Sequence, residues 1–231
     1  MKHFRVIIIS VFLFFALILL CARRKNSIAL LEKKLNQRFY DYREIYPFLS
    51  ILKDNRKSIR EETIQVAKEK WKMWPEKHLY HQEKEWSIFP FFGFDVWVDE
   101  NCAKCPRICR ILKQIPGLKT AILSKLSPGT ILTPHHGWKD LSNYVLRCHY
   151  GIVSNNDCFI VVENEKQKIV ENEIVVFDDS KEHYAINNGN NDRIVLLLDI
   201  ERPNYVAKGK STYSDTSHLY KFIEEVTRKQ Q

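Results

Sequence analysis

The sequence predicts a mainly β domain, an antiparallel barrel or jelly roll, with supporting helices before it and a transmembrane helix at the N-terminus. Short apolar and β-branched runs recur between residues 121 and 200, and turn-forming residues separate them. Helical patterns are few, and no long parallel-sheet pattern occurs. Strands are expected at residues 121–126, 144–149, 158–163, 168–170, 174–177, 183–187 and 193–200.

The N-terminal residues 6–22 carry no charged side chain. At 1.5 Å per residue, this segment is close to the shortest helix that spans roughly 30 Å of hydrocarbon. A cleaved signal peptide is the alternative, but no small-residue cleavage site follows, and Arg23, Arg24 and Lys25 come at once. The sequence therefore predicts an uncleaved single-pass anchor, and the basic residues after it favour a cytoplasmic location for the remaining chain.

The chain divides into four predicted regions. These are a membrane anchor at 1–26, a juxtamembrane helical region at 27–74, the main domain at 75–205, and a basic C-terminal tail at 206–231. The net charge is +8, but residues 1–26 contribute five basic side chains and no acidic one. The rest is nearly balanced, and its aromatics are not interleaved with basic runs, so nucleic acid is not an expected partner.

Helical patterns lie mainly before the strands. The first predicted helix has an apolar stripe of Ile28, Leu31, Leu35 and Phe39. Ser58 and Glu61 have the spacing of a capping box, so a second helix is expected to begin there and to end at Pro75. Shorter helices are expected near residues 101–113 and 217–227. An aromatic segment at 86–98 is expected to cover an opening of the core or to line a cleft.

The only cysteine cluster lies in the predicted helix near residues 101–113. It consists of Cys102, Cys105 and Cys109. A structural zinc ion needs four ligands at recognisable spacing, and no fourth ligand is evident. Free thiols, a disulfide and metal binding therefore all remain open from the sequence.

The segment 134–203 contains the candidate functional residues. His135 and His183 lie 48 positions apart at the edges of predicted strands, and Arg193 follows ten residues after His183. Neutral imidazoles on different strands can hold iron, zinc, copper or nickel. Many iron sites add a carboxylate two residues after the first histidine, but that position is Gly137. A single histidine is more often an ordinary core or surface residue, whereas this ordered set favours a mononuclear metal site.

Two arginines lie in otherwise apolar strand runs. Arg147 and Arg193 are costly to bury unless a carboxylate pairs with them. A bidentate carboxylate partner offsets that cost and fixes the geometry. Their presence near the two histidines therefore favours an anionic co-substrate, a dicarboxylate that chelates the metal at one end. The alternative is that each arginine points outward at the end of a strand.

These motifs resemble one known family. The runs are SKLSPGT, PHHG, LRCHYG, FDDSKEHYAIN and NDRIVLLLDIERP, and together they resemble the aspartyl/asparaginyl β-hydroxylases, which are Fe(II)- and 2-oxoglutarate-dependent dioxygenases. Over residues 115–205 the resemblance implies a double-stranded β-helix and the use of Fe(II), 2-oxoglutarate and O2. Gly137 matches family members that lack the carboxylate ligand and use water instead. The chain also resembles the bacterial lipid A hydroxylases of this family.

The resemblance also implies roles for individual residues. His135 and His183 correspond to the iron ligands. Ser124 and Arg193 correspond to the site for the distal carboxylate of 2-oxoglutarate, and Arg147 and His149 to further co-substrate contacts. Asp179 is either a residue that holds an iron-bound water or an acidic residue of a turn. Asp140 lies in an unusually long segment after His135 and is a candidate for an unexpected ligand or substrate contact.

The sequence thus predicts a membrane-anchored Fe(II)/2-oxoglutarate-dependent hydroxylase. The favoured substrate is the β carbon of Asp or Asn in a peptide or protein. The alternatives are an acyl chain of a membrane lipid and a catalytically inactive barrel that binds a ligand. The sequence does not indicate an oligomeric state.

Overall fold

The computed structural model describes residues 23–25, 37–81, 83–214 and 216–228. The described residues of 38–204 and 208–228 form one compact unit, and residues 205–207 are grouped apart from it. The predicted anchor at 6–22 and most of the first predicted helix lie outside the described residues. Among the helices that are described, none combines the length and the apolar character needed to cross a bilayer.

The larger of two antiparallel sheets has eight strands. Its order is β1-β10-β7-β12-β5-β3-β2, and β4 pairs with β3. The strands are β1 (Phe39–Tyr40), β2 (Lys72–Met73), β3 (Trp86–Gly93), β4 (Val96–Trp97), β5 (Leu118–Leu126), β7 (Val145–Val153), β10 (Ile174–Phe177) and β12 (Arg193–Glu201).

The smaller sheet has four strands in the order β6-β11-β8-β9. They are β6 (Thr130–Ile131), β8 (Cys158–Val162), β9 (Glu165–Lys168) and β11 (His183–Asn187). Ile160 and Ala185 from this sheet share one hydrophobic core with Ile122 and Leu197 of the larger sheet. Two antiparallel sheets that bury their inner faces against each other form a jelly roll, so the predicted fold class is confirmed for the β domain.

Seven α-helices lie within the described residues. They are α1 (Tyr42–Ile45), α2 (Ser50–Asp54), α3 (Arg56–Val66), α4 (Asp99–Lys104), α5 (Pro106–Leu112), α6 (Lys139–Ser142) and α7 (Ser217–Arg228), and short 3₁₀ turns occupy Pro47–Leu49 and Lys77–Leu79. The capping-box prediction is wrong, because α3 already begins at Arg56 and the Ser58 hydroxyl donates to the Asn55 carbonyl. The same helix ends at Val66, well before Pro75.

The helix expected near residues 101–113 is two helices. Proline 106 begins α5, because its missing N–H and fixed φ suit the first turn of a helix but not its interior. A disulfide joins Cys102 to Cys109 and thereby links α4 to α5. Cys105 is a buried free thiol, and burial raises its pKa to about 12. The structure thus resolves the open question about this cluster in favour of one disulfide and one thiol.

Side-chain alternation along the large sheet positions the functional residues. Because successive residues of a strand point to opposite faces, every second residue of β3, β5, β12 and β7 faces the interior. In register, Asp199 of β12 lies opposite Arg147 of β7, and Leu197 lies opposite His149. Arg193 lies opposite Leu126 of β5. One inner face therefore carries both arginines and His149.

Candidate active site

His135 and His183 are brought together by the backbone itself. The His135 N–H donates to the His183 carbonyl at 3.0 Å, and the His183 N–H donates to the His135 carbonyl at 2.8 Å. This isolated antiparallel bridge pairs the first residue of β11 with the segment that follows β6. Residues paired in this way have adjacent side chains, and the two ring centroids are 4.5 Å apart.

Both imidazoles are held in the same tautomer. The His135 Nδ1 lies 2.7 Å from the Thr133 carbonyl, and the His183 Nδ1 lies 2.8 Å from the Lys181 carbonyl. A carbonyl only accepts, so each Nδ1 carries the proton and each Nε2 has a free lone pair. Burial lowers the pKa of each ring to about 3, and the neighbouring His183 further lowers that of His135. Two neutral rings with free Nε2 atoms are suitable metal donors.

Asp179 lies beside this pair. Its Oδ1 is 3.1 Å from the His183 Nε2, although both atoms are acceptors. Burial raises the pKa of Asp179 to about 6, and Arg147 opposes that shift. Two acceptors at this distance repel each other unless a proton or a cation lies with them. This contact therefore fits a site completed by a positive ion.

Gly137 provides the space for the Asp179 carboxylate. A Cβ atom at position 137 would lie 1.9 Å from the Asp179 Oδ2 and 2.6 Å from the Ser142 Cβ. A side chain at 137 and the Asp179 carboxylate thus exclude each other. Position 137, where many iron sites carry a carboxylate, is glycine in this chain. The carboxylate of Asp179, which lies in a turn distant in sequence, fills the volume beside it.

Arg147 is paired with two carboxylates of the protein. Its Nε and Nη2 donate to the two oxygens of Asp199 at 2.8 and 3.0 Å. Its Nη1 lies 2.6 Å from the Asp179 Oδ1. Burial alone would lower the pKa of Arg147, but Asp179 and Asp199 together raise it above its ordinary value. Arg147 therefore faces inward as expected, while its partners are protein side chains.

Arg193 has no such carboxylate partner. Its side chain is 1% exposed, its Nη2 donates to the His149 Nδ1 at 3.0 Å, and its Nε makes no hydrogen bond within the described part of the chain. Burial lowers its pKa to about 10. Burial and the nearby Arg193 charge hold the pKa of His149 well below its usual range. A buried guanidinium beside a neutral histidine fits a bound anion.

These side chains line one small pocket between the two sheets. Its volume is about 20 Å³, measured as the space open to the centre of a water molecule. The lining includes His135, His149, His183, Arg147, Arg193 and Ser124. The Ser124 hydroxyl accepts a hydrogen bond from the Trp86 indole at 3.1 Å. All the histidines and arginines proposed from the sequence thus meet in this pocket.

Asp140 does not line the histidine pocket. It is an exposed residue of α6 and lines an outer cavity with Asp95 and Lys119. Sequence reasoning did not single out Asp199, whereas Trp86 belongs to the aromatic segment at 86–98 that was expected to cover an opening of the core or to line a cleft. The Asp199 signal was available, because an aspartate within the run LLLDIE needs a buried partner. The position of Trp86 against Ser124 depends on strand register and left no local signal.

The histidine pocket contains few protein donors for a metal ion. Within the described residues, no group of three or more His, Cys, Asp or Glu side chains is arranged as a metal site. The protein donors that fit a metal ion are therefore the two Nε2 atoms, with Asp179 beside them. This set leaves other coordination positions for non-protein ligands, as catalytic metal sites require.

The fold and pocket define a jelly-roll protein with a paired-histidine pocket and a buried arginine that has no carboxylate partner within the described residues. The profile of the family described as Aspartyl/Asparaginyl beta-hydroxylase matches residues 53–203. The chain belongs to this hydroxylase family, which confirms the resemblance seen in the sequence motifs.

Three curated relatives illustrate the range of the family. The chain is 37% identical over 132 residues to Aspartate beta-hydroxylase domain-containing protein 2 of Mus musculus, covering 53% of this chain and 38% of that protein. It is 35% identical over 124 residues to Ornithine lipid ester-linked acyl 2-hydroxylase of Rhizobium tropici, covering 52% and 43%. It is 30% identical over 159 residues to Aspartyl/asparaginyl beta-hydroxylase of Homo sapiens, covering 66% and 21%. The match spans less than half the length of each relative.

Proposed function

We propose that this chain is an Fe(II)- and 2-oxoglutarate-dependent hydroxylase that uses O2 to oxidise an unactivated carbon. The observation that carries the proposal is the meeting, in one pocket, of two neutral histidines with free Nε2 atoms and the unpaired buried guanidinium of Arg193. The first pair fits a divalent metal, and the second group fits the distal carboxylate of a dicarboxylate. Membership of a hydroxylase family supports the same chemistry.

Each residue then has a definite task. His135 and His183 hold the iron, and the carbonyls of Thr133 and Lys181 fix their tautomers. Arg193 binds the distal carboxylate of 2-oxoglutarate, with His149 and Ser124 as neighbours in the pocket. Iron, when bound, supplies the oxidative decarboxylation of 2-oxoglutarate and the oxidation of the substrate C–H bond.

Asp179 and Arg147 act as positioning residues in this proposal. The Asp179 carboxylate lies beside the His183 Nε2 and can accept a hydrogen bond from water at the metal. Arg147 keeps that carboxylate ionised and in place from one side, and Asp199 holds Arg147 from the other. Arg147 also lines the histidine pocket, and a direct contact with the co-substrate there is part of the proposal.

Two substrate classes make different demands on the pocket. Hydroxylation of Asp or Asn in a peptide, which the name of the human relative suggests, requires polar groups that recognise the side chain and the peptide backbone. Hydroxylation of a lipid acyl chain, which the name of the Rhizobium tropici relative suggests, requires an apolar passage. A mainly apolar cavity, lined by Trp74, Trp86 and Trp138 among others, adjoins the histidine pocket and supports the second candidate.

Membrane attachment through residues 6–22 is part of the proposal, as is a catalytic region at 75–205. Carbonate extraction of membranes that contain the full chain tests the attachment. An anchored chain stays in the pellet, whereas release into the supernatant refutes anchoring.

The central test is succinate formation from 2-oxoglutarate by the full chain with iron(II), ascorbate and O2. His135→Ala and His183→Ala are expected to abolish it, because each removes a metal donor. His136→Ala is the matched control, since His136 is the exposed neighbour of His135. Absence of succinate from folded, iron-loaded protein, with peptide and lipid candidates both supplied, would favour the ligand-binding barrel instead.

A further inference from the structure

A buried serine hydroxyl next to the Asp179 carboxylate has no hydrogen-bond partner. Ser142, the last residue of α6, is 0% exposed, and its Oγ makes no hydrogen bond within the described part of the chain. Burial of a hydroxyl without a partner is unfavourable, because the group has lost its hydrogen bonds to water. An unpaired hydroxyl at such a position therefore suggests a role that the fold alone does not reveal.

Gly137 brings Ser142 and Asp179 close together. A Cβ atom at position 137 would lie 2.6 Å from the Ser142 Cβ and 1.9 Å from the Asp179 Oδ2. The Ser142 Cβ and the Asp179 Oδ2 are therefore no farther apart than the sum of these distances, about 4.5 Å. When a serine hydroxyl donates to a carboxylate, the corresponding separation is roughly 3.5 Å. The Asp179 Oδ2 is thus near enough for the Ser142 hydroxyl to reach it from another staggered rotamer.

Backbone hydrogen bonds hold these residues in place. The Gly137 N–H donates to the Asp179 carbonyl at 2.8 Å, and the Ser142 N–H donates to the Trp138 carbonyl at 2.7 Å. The Ser142 carbonyl accepts a hydrogen bond from the Arg202 Nη2 at 3.1 Å. The main chain on both sides of the carboxylate is therefore fixed, and a rotation about the Ser142 Cα–Cβ bond is enough to redirect the hydroxyl.

The usual local partner of a helical serine is not used. Such a hydroxyl often donates to the carbonyl four residues earlier, which is that of Trp138, but Ser142 makes no such bond. Ser87 also has a buried hydroxyl without a partner within the described residues. It lies between two core residues of β3, so its side chain points to the other face of the sheet. Ser87 therefore provides a comparison for Ser142 away from the carboxylate.

The Asp179 carboxylate has an oxygen available for this hydroxyl. The Arg147 Nη1 lies 2.6 Å from the Oδ1, and the same oxygen lies 3.1 Å from the His183 Nε2. The Oδ2 is the oxygen next to Gly137. Since Asp179 is 1% exposed, a second donor on the Oδ2 would replace hydrogen bonds to water and fix the plane of the carboxylate.

We infer that Ser142 is a positioning residue, whose hydroxyl donates a hydrogen bond to the Asp179 Oδ2 when the histidine pair holds a metal ion. Arg147 and Ser142 then hold one oxygen each of the same carboxylate, and Gly137 leaves the space that this contact needs. The inference rests on the proposed function, because Asp179 needs a fixed orientation only if the histidine pair binds a metal.

Metal affinity tests this role without any turnover. The full chain in detergent micelles is freed of metal with a chelator and titrated with cobalt(II), whose visible absorption reports its ligands. Ser142→Ala is expected to weaken cobalt(II) binding about tenfold, the lower end of what outer partners contribute to a metal site. Ser87→Ala is the matched control, because it also removes a buried hydroxyl without a partner in the described residues, and it should leave the affinity unchanged. His135→Ala should abolish the binding.

A double substitution separates positioning from a purely structural role. In the Asp179→Ala background, Ser142→Ala should not change the cobalt(II) affinity further, because the hydroxyl acts through that carboxylate. Urea unfolding of the metal-free proteins should give a midpoint for Ser142→Ala no lower than that of the unchanged chain, since the lost hydroxyl had no partner in the described fold. A lower midpoint together with weaker binding in both backgrounds would show a structural role and overturn the inference.

The remaining outcomes separate this inference from the proposed function. A tenfold loss of affinity in Ser142→Ala that disappears without the Asp179 carboxylate supports the role of Ser142. Equal affinities in Ser142→Ala and Ser87→Ala, with binding still abolished by His135→Ala, overturn the role and leave the metal site in place. Cobalt(II) binding that does not depend on His135 overturns the metal site of the proposed function, and the role of Ser142 with it.

Discussion

Replacement of Gly137 tests whether the Asp179 carboxylate occupies the volume that a side chain at position 137 would need. Gly137→Ala places a methyl group 1.9 Å from the Asp179 Oδ2 and 2.6 Å from the Ser142 Cβ. Both contacts are far below van der Waals separation, so neighbouring groups must move, and overpacking of this kind costs about 1–3 kcal/mol. Removal of the carboxylate by Asp179→Ala relieves the first contact and leaves the second. Gly137→Ala should therefore be less costly in the Asp179→Ala background.

The assay is a double-mutant cycle measured by urea unfolding. The interaction free energy between the two substitutions is expected to be about 1–2 kcal/mol in the stabilising direction. Arg147 remains paired with Asp199 in the Asp179→Ala protein, which limits the damage of that single change. Gly93→Ala is the control, because a Cβ there meets nothing within 4 Å, and it should change the free energy of unfolding by less than about 0.5 kcal/mol.

Equal costs of Gly137→Ala in both backgrounds would refute the reasoning. A cost as small as that of Gly93→Ala would do so as well, because it would mean that the volume beside position 137 is not filled by Asp179.

Three further predictions concern the anion site, pH and helix capping. Arg193→Lys should raise the 2-oxoglutarate concentration for half-maximal succinate formation roughly 10- to 100-fold, because the lysine makes fewer charge-assisted hydrogen bonds to the carboxylate. An unchanged half-maximal concentration would contradict the proposal that Arg193 binds 2-oxoglutarate. The folded protein holds His149 neutral while the unfolded chain protonates it below about pH 6.5, so His149 contributes up to about 1.4 kcal/mol per pH unit to the loss of metal-free stability on acidification. His135 and His183, whose pKa values are also lowered, contribute with the same sign. Urea unfolding between pH 7 and 5 should show a smaller slope in His149→Asn, and an identical slope would reject the assignment. Glu62 accepts hydrogen bonds from two backbone N–H groups at the start of α5, so Glu62→Gln should lower the free energy of unfolding by about 1–3 kcal/mol. Glu61→Gln is the control, because Glu61 is an exposed partner of Arg107, and it should cost under about 0.5 kcal/mol. Similar losses in the two variants would exclude the capping role.

The strands that build the site could be predicted from the sequence because they are short apolar and β-branched runs bounded by turn-forming residues. The predicted strands at 174–177 and 183–187 coincide with β10 and β11. The strand predicted at 168–170 is displaced, since β9 ends at Lys168. Its residues are all exposed, so no buried face marked their position.

Predictions from short sequence patterns failed where a contact with another part of the chain decided the structure. Ser58 satisfies the sequence pattern of a cap, but its hydroxyl bonds backward to Asn55 inside a helix that already runs from Arg56. The two-residue strands β1 and β2 carry too few residues for any periodicity, and only pairing with longer strands defines them. The partners of Arg147 depended on strand register, which no stretch of sequence encodes by itself.

The hydrogen-bonded bridge between His135 and His183 has a consequence for how the family can vary. The spacing of the two rings is set by a pair of backbone hydrogen bonds, so it does not depend on the length of chain that joins them. Loops between the two histidines can lengthen or shorten while the rings stay in place. The segment that follows His135 forms α6, and its Trp138 stacks on Trp74 at 5.7 Å between ring centroids. The bridge thus fixes the spacing of the two imidazoles independently of the loops that surround them.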